Sequence, residues 1–208
     1  MFQFKYDSPF TPQEKFQIQT AANQTAAMST LAAIGVSAAL RIEKEGARIV
    51  EWFGSSIPLK VADGVRKMDG FLQDGGRTVT FVDRRHKSER EIIYKGPGVQ
   101  ADYGRTIPMT ECDYAYVKNL PDYQTTGEAH VGSGMRLYLG ERFFHPSKTT
   151  VDRAATLYHE IAHKILAIPD IVYKPGPCRE LARTRPQDAL RNADNWCYYA
   201  SSFIFRWP

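Results

Sequence analysis

The strongest constraint on the fold of this chain is an amphipathic segment that begins after Thr149 and ends before Pro169. Its apolar side chains recur every three or four residues, which is the spacing of one face of an α-helix. Thr149 or Thr150 can cap this helix and Asp152 lies in its first turn, whereas Pro169 disfavours the helical conformation at the preceding residue. We therefore expect a buried helix over about residues 150–167. The apolar positions are Ala154, Ala155, Leu157, Tyr158, Ile161, Ala162, Ile165 and Leu166.

The same segment carries the motif His-Glu-x-x-His, in which His159 and His163 are four residues apart. A helix turns about 100° per residue, so both rings lie on one face and can reach one metal ion. Glu160 lies on the same turn, where in zinc proteases a carboxylate takes a proton from the metal-bound water. The motif is short, and a packed pair of histidines is the alternative interpretation.

A catalytic zinc site needs a third protein ligand, because such a site has three ligands and one open position for water. Asp170 follows His163 by seven residues and lies just past Pro169. A chain that reverses direction there would return the carboxylate to the metal, as the third histidine of metzincins does after a turn. Spacing favours Asp170 and leaves three later carboxylates open as alternatives: Glu180, Asp188 and Asp194.

Further segments repeat the sequence pattern of a known family. Asp-Ile-Val-Tyr stands at 170–173, Cys-Arg-Glu-Leu-Ala at 178–182, and Asn-Ala-Asp-Asn-Trp-Cys-Tyr-Tyr-Ala at 192–200. Upstream, Glu-Trp-Phe-Gly stands at 51–54 and Leu-Tyr-Leu-Gly-Glu-Arg-Phe-Phe at 137–144. Together these segments resemble the aspzincins, the deuterolysin and peptidyl-Lys metalloendopeptidase family. In that family H-E-x-x-H is followed by G-T-x-D-x-x-Y-G and then by an N-A-D-x-x-x-Y-F helix.

The resemblance extends from about residue 12 to the end of the chain and implies a zinc-dependent metalloendopeptidase with a zincin-like fold. It implies that His159, His163 and Asp170 are the Zn²⁺ ligands and that Glu160 is the general base. It also implies that the phenol of Tyr173 hydrogen-bonds the oxyanion that develops during peptide hydrolysis.

Two departures from the family pattern affect these expectations. Residues 167–168 read Ala-Ile instead of Gly-Thr, and Lys174 replaces the final glycine, so the backbone of this segment can differ. In lysine-specific members, the Asp of N-A-D and an acidic residue three positions later hold the substrate ammonium. Here these positions are Asp194 and Cys197, so we expect Asp194 to bind substrate, with lysine specificity in doubt. Alternatively, Asn192 and Asp194 hydrogen-bond the loop that carries the third ligand.

The remaining pattern predicts an α+β fold, mainly helical, with a small antiparallel or mixed sheet. A capping box at residues 11–14 opens a long helix that ends near Gly46, with a break near Gly35. A second helix closes at Gly75-Gly76, and the motif helix and a C-terminal helix follow the sheet. Short strands are expected at about 77–82, 90–95, 113–117 and 135–139, and the last is the expected edge strand for an extended substrate.

Length and composition favour one domain over residues 1–208, because 43% hydrophobic content is enough for a single core. Its expected parts are N-terminal helices at about 11–75, sheet and loops at about 77–145, and catalytic helices at about 150–205. The net charge of +4 is mildly basic, and we interpret the basic run 84–87 as a solvated turn and expect no nucleic-acid partner. The family resemblance instead implies a protein or peptide substrate, and the oligomeric state stays open.

No apolar segment is long enough to predict a membrane span, since the longest one, residues 26–40, is short and interrupted by Ser and Thr. The N-terminus shows no signal peptide. Aspzincins are generally exported, so we expect either a leader that has been removed or a leaderless secretion route, as for a bacterial effector or toxin. The cysteines are Cys112, Cys178 and Cys197, and a Cys112–Cys178 bridge is one pairing in an oxidising compartment.

Two other functions use the same residues. One is a non-catalytic, zinc-stabilised binding domain. A structural zinc site is usually closed by four ligands and needs no base, so the presence of Glu160 disfavours a non-catalytic binding domain. The other is a metal-dependent amidase that acts on cell-wall peptides, which requires the same hydrolytic chemistry as an endopeptidase.

Overall fold

The computed structural model confirms an α+β arrangement that is mainly helical with a small sheet. Most of the basic run 84–87 and Cys112 lie outside the residues it describes, as do most of the expected loops between 96 and 134. The described residues are 1–7, 9–40, 43–55, 58–83, 85, 89–93, 102–107, 115–116 and 135–208.

Helices make up most of the described structure, and none of these helices is long and apolar enough to cross a membrane. Three lie between the first and second strands: α1 (Pro12–Ala39), α2 (Glu43–Phe53) and α3 (Pro58–Gln73). Five follow the last strand: α4 (Glu141–Phe144), α5 (Thr150–Leu166), α6 (Pro175–Thr184), α7 (Pro186–Ala189) and α8 (Ala193–Ser201).

Helix α1 begins with the predicted capping box, in which Thr11 and Glu14 exchange hydrogen bonds with each other's backbone N–H groups. The expected break near Gly35 and the end near Gly46 are both wrong. The helix continues through Gly35 and ends before residue 40, and Gly46 lies inside α2. Glycine at 35 serves packing, because a Cβ there would lie 2.2 Å from the ring of Phe203.

The main sheet has the strand order β1-β2-β6-β5. β1 pairs with β2 and β2 pairs with β6 in parallel, whereas the short β5 is antiparallel to β6. A separate antiparallel pair is formed by β3 and β4. The strands are β1 (Gln3–Tyr6), β2 (Thr78–Asp83), β3 (Glu89–Ile93), β4 (Asp102–Ile107), β5 (Ala115–Tyr116) and β6 (Met135–Leu139).

The sheet was predicted to be antiparallel or mixed, and this topology corrects the antiparallel alternative, because two of the three strand pairs of the main sheet are parallel. Three helices connect β1 to β2, and such a long crossover allows parallel pairing where a short hairpin would not. Two strands were missed, β1 at the N-terminus and β4 inside a segment expected to be a loop. The expected edge strand β6 instead lies between β2 and β5: β2 pairs with it along its whole length, and β5 pairs with its last two residues, Tyr138 and Leu139.

Helix α5 is the central element of the helical layer and contacts α1, α3 and α8. Its predicted bounds hold to within one residue, and Thr149 and Asp152 form a capping box at its start. Leu157, Tyr158 and Ile161 on its apolar side are buried in the core, whereas Ile165 and Leu166 in the last turn are partly buried. The helix ends at Ala167, which has a left-handed φ of 53° and turns the chain before Pro169. The opposite side of α5 carries the polar motif.

Gly64 and Gly70 both lie inside α3 and provide a matched pair for testing this packing. A Cβ at Gly64 would lie 2.1 Å from the indole of Trp196, whereas a Cβ at Gly70 would have open space within 4 Å. Overpacking costs about 1–3 kcal/mol, and replacing a helical glycine by alanine gains about 0.5–1 kcal/mol. We therefore expect Gly64→Ala to lower the free energy of unfolding in urea and Gly70→Ala to raise it. Equal effects of the two substitutions would contradict the placement of Trp196.

Candidate metal centre

The two histidines of α5 face each other at the buried end of a shallow site. His159 and His163 are 9% and 7% exposed, and their Nε2 atoms are 3.0 Å apart. Each ring is fixed through its other nitrogen: Nδ1 of His159 lies 2.7 Å from Asp194 Oδ1, and Nδ1 of His163 lies 2.7 Å from the carbonyl oxygen of Ile168. A carbonyl oxygen only accepts, so Nδ1 of His163 donates, and in the neutral ring Nε2 is left with a lone pair.

The carboxylate of Asp170 lies between the two inward-facing nitrogens. Its Oδ1 is 3.2 Å from Nε2 of His159, and its Oδ2 is 3.3 Å from Nε2 of His163. Burial opposes ionisation, but hydrogen bonds to both rings hold the pKa of Asp170 below its ordinary value. Burial likewise disfavours charge on both histidines, yet Asp170 raises the pKa of each ring, and Asp194 adds to the effect at His159. The groups therefore form one strongly coupled cluster.

The spacing of this cluster fits a zinc ion. Zinc binds imidazole nitrogen and carboxylate oxygen at about 2.0–2.2 Å in tetrahedral geometry, which places neighbouring donor atoms about 3.3 Å apart. The separations among His159, His163 and Asp170 are 3.0, 3.2 and 3.3 Å. Two nitrogens and one oxygen also match the ligand types that zinc accepts. The side chain of Asp170 is 29% exposed, so the cluster is open to solvent on that side.

The loop between α5 and α6 brings Asp170 back to the histidines through a reversal of the chain. On one side of Asp170, the carbonyl of Pro169 accepts a hydrogen bond from the N–H of Ala193 at 3.3 Å. On the other side, the N–H of Ile171 donates to Oδ1 of Asn192 at 2.8 Å. Both partners belong to the start of α8, so the beginning of that helix fixes the position of Asp170.

Two residues of this segment adopt backbone conformations that favour glycine. Ala167 has φ 53° and Lys174 has φ 73°. They stand where the aspzincin pattern has its first and last glycine. The segment therefore keeps positive φ at both positions although the glycines are replaced. A non-glycine residue at positive φ lowers the stability of the folded state by on the order of 1 kcal/mol.

Glu160 and Tyr173 flank the cluster on different sides. Oε1 of Glu160 lies 4.0 Å from Nε2 of His159, farther than Asp170, and its side chain is 9% exposed. Tyr173 is 58% exposed, and its ring lies 6.4 Å from that of His159 with an interplanar angle of 23°. Its pKa is raised to about 12 by burial and by a hydrogen bond to Asp170. Both side chains thus lie close enough to act on a substrate at the cluster.

The three alternative carboxylates do not lie between the inward-facing nitrogens of the two histidines. Glu180 forms an exposed ion pair with Arg183, and the half-buried Asp188 forms one with Arg185. Asp194 is next to His159, but on the ring nitrogen that points away from Asp170. Its second oxygen accepts the N–H of Lys174 at 3.0 Å, so both of its oxygens are engaged within the protein.

Cys197 lies next to Asp194. Its thiol lies 3.9 Å from Oδ1 of Asp194, and burial together with that carboxylate raises the pKa of Cys197 to about 12. The ligand atoms of His159, Asp194 and Cys197 lie within 4.8 Å of one another and form a second group that could hold a metal ion. Among the described residues, Cys178 and Cys197 are buried free thiols, and the suggested bridge to Cys112 lies outside the described residues.

Sequence reasoning missed Asn195, which is fully buried beside Asn192 in the first turn of α8. One signal was available. Asparagine is unfavourable inside helices because its side chain competes for backbone hydrogen bonds. Two asparagines flanking an aspartate at a helix start therefore indicate polar contacts that the fold requires.

Comparisons with known proteins show which family the chain is similar to. The profile of the aspzincin family, described as lysine-specific metallo-endopeptidase, matches residues 38–201. An extracellular protease of Aeromonas hydrophila is 39% identical over 70 residues, which are 32% of this chain and 20% of that protein. A peptidyl-Lys metalloendopeptidase of Armillaria mellea is 33% identical over 106 residues, which are 49% of this chain and 27% of that protein. The matches thus span only about a quarter of those relatives.

The fold has a solved counterpart in a zinc peptidase from Grifola frondosa. The TM-score is 0.60 at 19% identity, and the match covers 93% of this chain and 97% of that structure. At this identity the similarity shows the fold. Because the family profile covers most of the sequence, the chain belongs to the aspzincin family of zinc metalloendopeptidases.

Proposed function

We propose that this chain is a zinc metalloendopeptidase whose metal helix is α5. One observation carries the proposal: Nε2 of His159, Nε2 of His163 and the carboxylate of Asp170 converge within 3.0–3.3 Å beside the carboxylate of Glu160. This arrangement offers three ligands of the types that zinc binds, with a separate acid-base group next to them.

In this proposal His159, His163 and Asp170 hold the ion. When bound, zinc supplies a Lewis acid that acidifies water and polarises a peptide carbonyl. Glu160 takes a proton from the attacking water and later delivers it to the amine nitrogen of the leaving group. The phenol of Tyr173, which is exposed beside the cluster, donates a hydrogen bond to the carbonyl oxygen as negative charge develops there.

The alternative of a purely structural zinc domain fits the site less well. Structural sites are usually closed by four protein ligands, whereas here Asp170 is partly exposed and Glu160 stands 4.0 Å from the nearest ring nitrogen. A cell-wall amidase would use the same chemistry, so a comparison of protein and cell-wall peptide substrates in the cleavage assay distinguishes it from an endopeptidase.

For Asp194 we propose support of His159 in place of the expected contact with substrate. Both carboxylate oxygens are engaged, one with His159 and one with the N–H of Lys174. Cys197, where lysine-specific members have a second acid, supplies no charge because its pKa is raised to about 12. A substrate ammonium would therefore have to compete with the histidine for Asp194, which disfavours lysine specificity.

We also propose that the chain forms a single domain and acts as an exported effector or toxin. The named extracellular protease of Aeromonas hydrophila supports export. Immunodetection of the native protein in culture medium and in washed cells tests this, and retention of all the protein inside cells would contradict it.

The role of Glu160 is tested by Glu160→Gln, which keeps the shape of the side chain and removes the base. We expect unchanged zinc stoichiometry and about a 10²- to 10⁴-fold loss of cleavage of a mixed peptide library. Glu180→Gln is the matched control, because that glutamate is exposed and forms an ion pair with Arg183 on its own helix. Wild-type cleavage by the Glu160 variant would refute its role as base.

The third ligand is tested by Asp170→Ala, which we expect to lose zinc together with activity. Asp188→Ala removes an alternative carboxylate that pairs with Arg185, and this substitution should leave both unchanged. Zinc content after dialysis and zinc affinity by chelator competition are the measurements. Wild-type zinc affinity in the Asp170 variant would show that another group completes the site.

The two roles considered for Asp194 predict different results for Asp194→Asn. An amide presents an NH₂ group to a donor in either orientation, so it cannot accept from both His159 and Lys174. We expect zinc affinity to fall about 10- to 100-fold with an unchanged preference among cleavage sites. Unchanged zinc affinity with lost cleavage at basic residues would instead support direct contact with substrate.

A further inference from the structure

Two buried side-chain amides link the loop of Asp170 to the rest of the helical layer. We propose that Asn192 and Asn195 form an amide relay that positions Asp170 and thereby sets the affinity of the site for zinc. The inference rests on the proposed zinc site, and it assigns both asparagines as positioning residues that act through Asp170.

Asn192 binds the loop directly. Its Oδ1 accepts the N–H of Ile171 at 2.8 Å and the N–H of Val172 at 3.2 Å. Its Nδ2 donates to the carbonyl oxygen of Val172 at 3.0 Å. The side chain is fully buried, so water does not replace these contacts. Three backbone groups immediately after Asp170 are therefore held by one side chain.

Asn195 fixes Asn192 in turn. Its Oδ1 accepts the second N–H of the Asn192 amide at 2.7 Å. Its own Nδ2 donates to the carbonyl oxygen of Trp52 at 2.6 Å and to that of Cys178 at 3.0 Å. Asn195 is also fully buried. The relay thus connects the end of α2 and the first turn of α6 to the loop.

The relay uses nearly all of its hydrogen-bonding capacity. A primary amide has two N–H donors and an oxygen with two lone pairs. In Asn192 all four are used, and in Asn195 both donors and one lone pair are used. Each amide can therefore adopt only one orientation without leaving a buried polar group unpaired. A network of this kind fixes the loop in one conformation.

This rigidity bears on Asp170 because the relay and the start of α8 hold the residues on both sides of it. Pro169 is held through its carbonyl by the N–H of Ala193, and Ile171 is held through its N–H by Asn192. Among the described residues, the side chain of Asp170 lies against the two imidazoles and forms a hydrogen bond with Tyr173. A ligand must be held to within about 0.5 Å to keep its metal, so a displaced loop would weaken zinc binding.

The test uses Asn192→Ala and the milder Asn195→Ser in the full chain. Zinc affinity is measured by chelator competition, and ligand geometry by the visible spectrum of the protein loaded with Co²⁺. We expect about a 10- to 100-fold loss of zinc affinity for Asn192→Ala, a smaller loss for Asn195→Ser, and altered Co²⁺ spectra for both. In the metal-free protein, the amide of Ile171 should exchange faster with deuterium in both variants.

Ser201→Ala is the matched control for general destabilisation. Ser201 is buried on the same helix and bonds Trp207 and its own helix, without contacting the loop. The Ser201→Ala substitution should lower the melting temperature and leave zinc affinity and the Co²⁺ spectrum unchanged. Wild-type affinity and spectrum in folded Asn195→Ser would overturn the relay, even if Asn192→Ala fails to fold. An equal loss in Ser201→Ala would also overturn it, whereas absence of zinc binding by the wild-type chain would refute the proposed function itself.

Discussion

The candidate site depends on the hydrogen bonds that the two histidines make with their Nδ1 atoms. Asp194 and the carbonyl of Ile168 each lie 2.7 Å from one of these nitrogens, so both Nε2 atoms turn inward and stand 3.0 Å apart. Without those two bonds the rings could rotate about their side-chain torsions and the inward pair would be lost. The outer partners of metal-binding histidines generally fix ring orientation in this way.

The supporting polar groups lie at a junction of helices that large aromatic side chains hold in place. Trp52 stacks on Tyr198 with ring centroids 5.3 Å apart, and Phe53 packs against Trp196. Gly54 directly follows α2 and has a φ of 77°. A Cβ at this position would lie 2.4 Å from the carbonyl oxygen of Ala182 in α6. This close approach of α2 and α6 lets one asparagine reach backbone carbonyls of both helices. The conformation therefore explains physically why a glycine follows Trp-Phe in this segment.

The parts of the structure that depend on local sequence could be predicted, and the parts that depend on distant contacts could not. Helix α5 was predicted to within one residue, because its cap, its apolar period and the following turn are all encoded within twenty residues. The grouping of Glu160 with the two histidines follows from helical spacing alone. The parallel pairing of β1, β2 and β6 joins segments more than fifty residues apart, which periodicity does not report. The asparagines at the start of α8 indicate buried polar contacts there, but the partners of Asn195 come from elements distant in sequence, so the fold is needed to identify them.

Zinc at the inward-facing nitrogens is the central claim, and anomalous X-ray scattering at the zinc absorption edge tests it most directly. In crystals of the zinc-loaded protein, we predict one strong anomalous peak about 2.0–2.2 Å from Nε2 of His159, Nε2 of His163 and one oxygen of Asp170. A peak at the other group, between Nδ1 of His159, Asp194 and Cys197, would contradict the account, as would zinc bound away from α5.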